Sequence, residues 1–98
     1  MRYYQVSARL KDSTTLATTL SRVLLEELEE NETNVLVVTA LDGAIPIAVE
    51  STGLLVAKIS EASISKVLTS TETVPSRVNN IPKICNKIEI RVCVSILH

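Results

Sequence analysis

The chain has 98 residues and a formal net charge of −1; 46% of it is hydrophobic, and Tyr3 and Tyr4 are its only aromatic residues. That length suits one domain, residues 1–98, with a core built from Leu, Ile, Val and Ala. The near-neutral charge argues against a general DNA-coating role, which depends on neutralising many phosphates.

Residues 3–11 alternate, with Tyr4, Val6, Ala8 and Leu10 on one parity and Tyr3, Gln5, Ser7, Arg9 and Lys11 on the other. Period two predicts a half-buried strand. Asp12 or Ser13 then offers a helix N-cap. Leu16, Leu20, Val23, Leu24 and Leu28 follow at helical spacing, widened by Ala17 and Leu25, so a helix is expected from about residue 13 to 31. Its end carries an acidic block of Glu26, Glu27, Glu29, Glu30 and Glu32. Residues 34–41 form a continuous Val-rich apolar run, expected as an inner strand covered on more than one side. Asp42-Gly43 breaks it.

A second helix is expected from near Ala44, with Pro46 tolerated in its first turn. Ile45, Ala48, Val49, Leu55, Val56 and Ile59 supply a broad apolar face, and residues 54–57 read as unusually buried. Gly53, costly inside a helix, suggests close packing. Residues 62–73 read as a strand with Ile64, Lys66, Leu68 and Ser70 on one parity and Ser65, Val67 and Thr69 on the other. Residues 74–86, with Pro75, Asn79, Asn80 and Pro82, read as a loop or hairpin arm. Residues 87–97 alternate most clearly: Ile88, Ile90, Val92, Val94 and Ile96 oppose Lys87, Glu89, Arg91, Cys93 and Ser95. The order β-α-β-α-β-β predicts an α+β two-layer sandwich. It has a four-stranded mixed sheet, both helices on one face, and a long final hairpin arm.

No apolar run is long enough to cross a membrane, and Met1-Arg2-Tyr3-Tyr4-Gln5 does not resemble a signal peptide, so a cytoplasmic and/or nuclear location is expected. Cys85 and Cys93 on one strand would stand roughly 26 Å apart, too far for a disulfide. His98 is the sole histidine and no Cys pair has ligand spacing, so no metal site is expected. The only glycines are Gly43 and Gly53, which leaves no phosphate loop, and CxxC, HExxH and GxSxG are absent. No catalytic residue and no cofactor are expected.

Several segments resemble the Alba family. Ala40-Leu41-Asp42-Gly43-Ala44-Ile45, followed by Ala48-Val49-Glu50, is similar to its turn into the second helix. Gln5-Val6-Ser7 resembles its first strand, Leu68-Thr69-Ser70-Thr71 the end of its third strand in eukaryotic members, and Lys87-Ile88-Glu89-Ile90 its last strand. The element order also agrees. The resemblance implies a nucleic-acid-binding protein for RNA and/or DNA. It would bind through backbone contacts, without catalysis, as a dimer formed largely through the second helix and neighbouring strands. It implies contacts at the turns before both helices and along the hairpin arm. Lys11, with nearby Arg9, matches the basic position before the first helix, and Arg77, Lys83 and Lys87 furnish the arm. Taken without the resemblance, these five charges read as ordinary solubilising groups. At the second turn Asp42 places a negative charge where phosphate should approach. The acidic block and Asp42 also suit a different reading, an assembly subunit paired with a basic Alba-like partner in a ribonucleoprotein of the ribonuclease P/MRP type. The partner is then RNA or DNA, with either a homodimer or a heterodimer formed with an Alba-like chain.

Overall fold

A computed structural model describes residues 2–7, 12–31, 35–75 and 81–94, without the side chains of 27–31. Strand β1 is Arg2–Gln5, helix α1 Ser13–Asn31, strand β2 Val35–Leu41, helix α2 Ile45–Lys58, strand β3 Ala62–Val74 and strand β4 Lys83–Val94; a 3-10 turn, Asp42–Ala44, joins β2 to α2. The sheet order is β1-β2-β4-β3. β1 runs parallel to β2, whereas β4 is antiparallel to both β2 and β3. The α+β class, mixed sheet and long hairpin expected from the sequence are present.

Periodicity explains α1, β2 and β4. Leu16, Leu20, Val23 and Leu24 of α1 are buried at helical spacing. Asp12 starts that helix: its Oδ1 accepts the Thr14 N–H at 3.0 Å and its Oδ2 the Thr15 hydroxyl at 2.6 Å. β2, central in the sheet, buries both parities at Leu36, Val37, Val38 and Ala40, as its unbroken apolar run requires. β4 buries Ile88, Ile90, Val92 and Val94 beneath the helices. β1 ends at Gln5, short of the strand expected over residues 3–11, of which 8–11 lie outside the described residues; Tyr4 and, just after the strand, Val6 face the same core, and Tyr3 is 65% exposed.

Two elements depart from expectation. In α2 the core-facing residues are Ala48, Ser51, Thr52 and Leu55, spaced i, i+3, i+4 and i+7, while Val49 and Leu54 are exposed and Ala57 lies on the surface. Ser51 and Thr52 can be buried because their hydroxyls donate to the Ile47 and Ala48 carbonyls one turn back, at 2.6 and 2.9 Å. In β3 the register slips at Ser65, so that Ile64 stands opposite Val92 but Lys66 opposite Arg91. This bulge puts Ile64 on the helix side and Lys66 on the open side, separating two residues that simple alternation would place together.

The hairpin is also longer than the periodicity implied, since its ladder extends to Val74 paired with Lys83. β2 stops pairing with β4 at Leu41 opposite Lys87. Beyond that point four pairs, from Thr71–Asn86 to Val74–Lys83, continue as a two-stranded arm. Four pairs amount to about 13 Å of ribbon. The radius of gyration, 14.5 Å, exceeds the roughly 13 Å of a compact chain of this length, and the long axis reaches 54 Å.

Candidate nucleic-acid interface

Of the five basic residues singled out from the sequence, Lys83 and Lys87 are placed by the structure, whereas Arg9, Lys11 and Arg77 lie outside the described residues. Lys83 begins β4 at the outer end of the arm's ladder, and Lys87 stands at the arm's root opposite Ser70. Both are matched by acids. Lys83 Nζ lies 3.8 Å from Asp42 Oδ2, and Lys87 Nζ 3.8 Å from Glu72 Oε1, a diagonal cross-strand neighbour. All four side chains are partly or largely exposed, so such pairs add little stability and can exchange for other partners.

Asp42 organises this region. Its φ of 42° is the left-handed conformation that Asp and Asn tolerate better than most residues. The turn thereby aims the carboxylate at β4, where Oδ1 accepts the Asn86 N–H at 2.8 Å. Asn86 is the first β4 residue past the end of β2, so the side chain supplies the acceptor that a longer β2 would have provided. The Asn86 N–H, then the Cys85 thiol and Lys83, hold the Asp42 carboxyl below its ordinary pKa. In return, the hydrogen bond to Asp42, reinforced by burial, pushes the Cys85 thiol up. The charge that looked repulsive in the sequence thus fastens the arm's root to the turn before α2.

Beside this fastening lies an open cleft of about 530 Å³ lined by Ile45, Thr69, Ser70, Thr71, Asn86, Lys87 and Ile88. It brings the start of α2 together with hydroxyls, an amide and an ammonium group. The N-cap of α2, Ala44, makes no side-chain capping bond; the Ile45 N–H is taken by the Asp42 carbonyl of the preceding 3-10 turn, and Pro46 has no N–H to offer. At α1 the reverse holds: Asp12 occupies the helix start, and the Thr15 hydroxyl and the Thr14 and Thr15 N–H groups keep its carboxyl pKa low. Of the two helix starts expected to approach phosphate, only that of α2 is uncapped by a side chain.

The sheet's open face adds basic residues that the arm-centred reading passed over. Lys66 faces Arg91 across β3 and β4, in the row that also holds Val37 and Tyr3. Arg91 Nε is held by Glu89 Oε2 at 3.2 Å. Lys66 could not be assigned to this face by alternation, because the bulge at Ser65 is invisible in the residue pattern. Cys85 and Cys93 both lie on β4, are not joined in a disulfide, and Cys93 is within 3.2 Å of the Ser65 hydroxyl. Among the described residues no three His, Cys, Asp or Glu side chains cluster as a metal site would need, and no helix is long and apolar enough to cross a membrane.

No family model matches the sequence, and no curated protein matches it. Solved structures do. Alba from Thermoplasma volcanium aligns with a TM-score of 0.72 at 18% identity, covering 93% of this chain and 98% of that one. ALBA1 from Trypanosoma brucei aligns with a TM-score of 0.62 at 24% identity, covering 91% of this chain and 71% of that one. At these identities the likeness is one of architecture: the chain has the Alba fold.

Proposed function

We propose that the protein is a nucleic-acid-binding module for RNA and/or DNA that acts as a dimer and performs no catalysis, in the cytoplasm and/or nucleus. The observation that carries this reading is the projecting two-stranded arm, with Lys83 at its outer end and Lys87 at its root beside the cleft at the start of α2. Hydroxyl, amide and ammonium donors suit phosphate oxygens, and nothing in the set forms a base-reading constellation. A weakly charged chain that follows backbone shape suits duplex RNA at least as well as DNA.

The dimer reading rests on an apolar surface. α1 packs along one flank of α2, where Thr14, Ala17, Thr18, Leu54, Ala57 and Lys58 line a groove between the two helices. The opposite flank, carrying Val49 and Gly53, adjoins the helix side of β3, and Val49, Ile64 and Val67 are each between 44% and 52% exposed there. Among the described residues no heavy atom outside the helix's own turn lies within 4 Å of where a Cβ on Gly53 would stand, so no close approach there accounts for this glycine. A second chain crossing α2 would supply one.

The competing reading, an assembly subunit joined to a basic Alba-like partner, is favoured by one observation: the placed arm lysines already have acidic partners. Fluorescence anisotropy with duplex DNA, duplex RNA and single-stranded RNA at two salt concentrations separates the two. The nucleic-acid reading expects affinity that falls steeply as salt rises. Absence of binding by the purified chain to all three at low salt would instead favour the assembly reading.

A further inference from the structure

We propose that the Asp42 carboxylate is an inhibitory latch on the arm, which holds Lys83 away from phosphate and so sets how tightly the chain grips a duplex. The inference rests on the nucleic-acid reading above and adds the regulation of that site. Its two contacts come from the two oxygens of one carboxylate. Oδ1 takes the Asn86 N–H at 2.8 Å, and Oδ2 lies 3.8 Å from Lys83 Nζ. The first contact is a built structural bond: it spans 44 positions of sequence and needs the left-handed backbone at residue 42. The second uses the oxygen left over. A lysine whose side chain is 70% exposed at the end of a projecting ribbon has many rotamers open to it. Here one of them is favoured by an anion that the fold fixes in place. Lys83 must leave Asp42 before it can meet a phosphate, and the phosphate must then approach with the Asp42 charge still present.

The two roles can be separated by one atom. Asn at position 42 tolerates the left-handed conformation and keeps a carbonyl oxygen for the Asn86 N–H, but has no charge to hold Lys83. Asp42→Asn should therefore fold like the parent, with an unchanged circular dichroism spectrum. Opposite unit charges about 4 Å apart in bulk water are worth roughly a fivefold change in an equilibrium constant. The variant is expected to bind a 20-base-pair DNA duplex roughly fivefold more tightly in low salt. The slope of log K against log salt should steepen by about 0.9, as for one added phosphate contact. The latch also requires that the gain depend on Lys83.

The decisive experiment is a cycle of four proteins, the parent, Asp42→Asn, Lys83→Ala and the double variant, titrated with that duplex at two salt concentrations beside a Lys83→Ala/Lys87→Ala control. Tighter binding and a steeper slope for Asp42→Asn, abolished in the Lys83→Ala background, establish the latch. A gain that persists without Lys83 overturns it, because the acid then acts only through its field. If Asp42→Asn matches the parent while the control weakens binding, the latch is wrong and the nucleic-acid reading stands. If none of the variants differs from the parent, both fall.

Discussion

At the residue scale Asp42 carries most of the consequences. Its carboxyl and that of Asp12 both lie below their ordinary pKa of 3.8, held there by hydrogen bonds made only in the fold. Groups depressed in this way stabilise the native state above the unfolded pKa and lose that contribution as pH falls through the native value. The melting temperature should therefore hold steady at pH 5 and drop below about pH 4, and Asp42→Asn should blunt the drop. A melting series from pH 6 to 2.5 checks this; an equal drop in the variant would remove Asp42 from the account. The same neutralisation should lower the Cys85 thiol pKa, since Asp42 is the first cause of its elevation. Asp42→Asn should then shift the pH profile of Cys85 alkylation downward, read site by site with mass spectrometry. None of this was legible from the residue pattern, in which Asp42 reads as a misplaced charge. Its role depends on a backbone angle and on a partner in another strand.

At the element scale, α1, β2 and β4 were legible because one strong period governs each and the core lies on a single side or, for β2, on both. α2 and β3 were harder. The core stripe of α2 includes Ser51 and Thr52, whose hydroxyls are satisfied within the helix, so hydrophobicity alone misplaces its phase. β3 is rich in Ser and Thr, lies at the sheet edge, and changes face at the Ser65 bulge. Gly53 gives a test of what α2 is for. In a single chain Ala there meets open space and should stabilise the helix by up to about 1 kcal/mol. If a second chain crosses α2 at this point, the added methyl group should weaken the dimer. Urea unfolding at low protein concentration, combined with sedimentation equilibrium, is expected to find Gly53→Ala more stable as a monomer and weaker in self-association. Val49→Asp should abolish self-association outright, because it places a charge in the centre of the proposed contact. A dimer indifferent to both changes would have to use another surface.

At the scale of the whole molecule, a small Alba-fold globule carries a ribbon that projects from the end of its sheet, and the proposed function follows from that shape more than from net charge. The sequence made the arm visible as a proline- and asparagine-rich break between two strands. It did not disclose that the ladder continues well into that break, nor that acids partner Lys83 and Lys87. Whether the arm grips a nucleic-acid backbone, as proposed, is tested most directly by replacing Arg77, Lys83 and Lys87 together with Ala. Binding of the parent and the triple variant to duplex DNA and duplex RNA is followed across a salt titration. The variant is expected to bind more weakly, with a salt slope on DNA shallower by about 0.9 for each phosphate that is no longer neutralised. A variant that matches the parent in both affinity and slope would contradict the proposal.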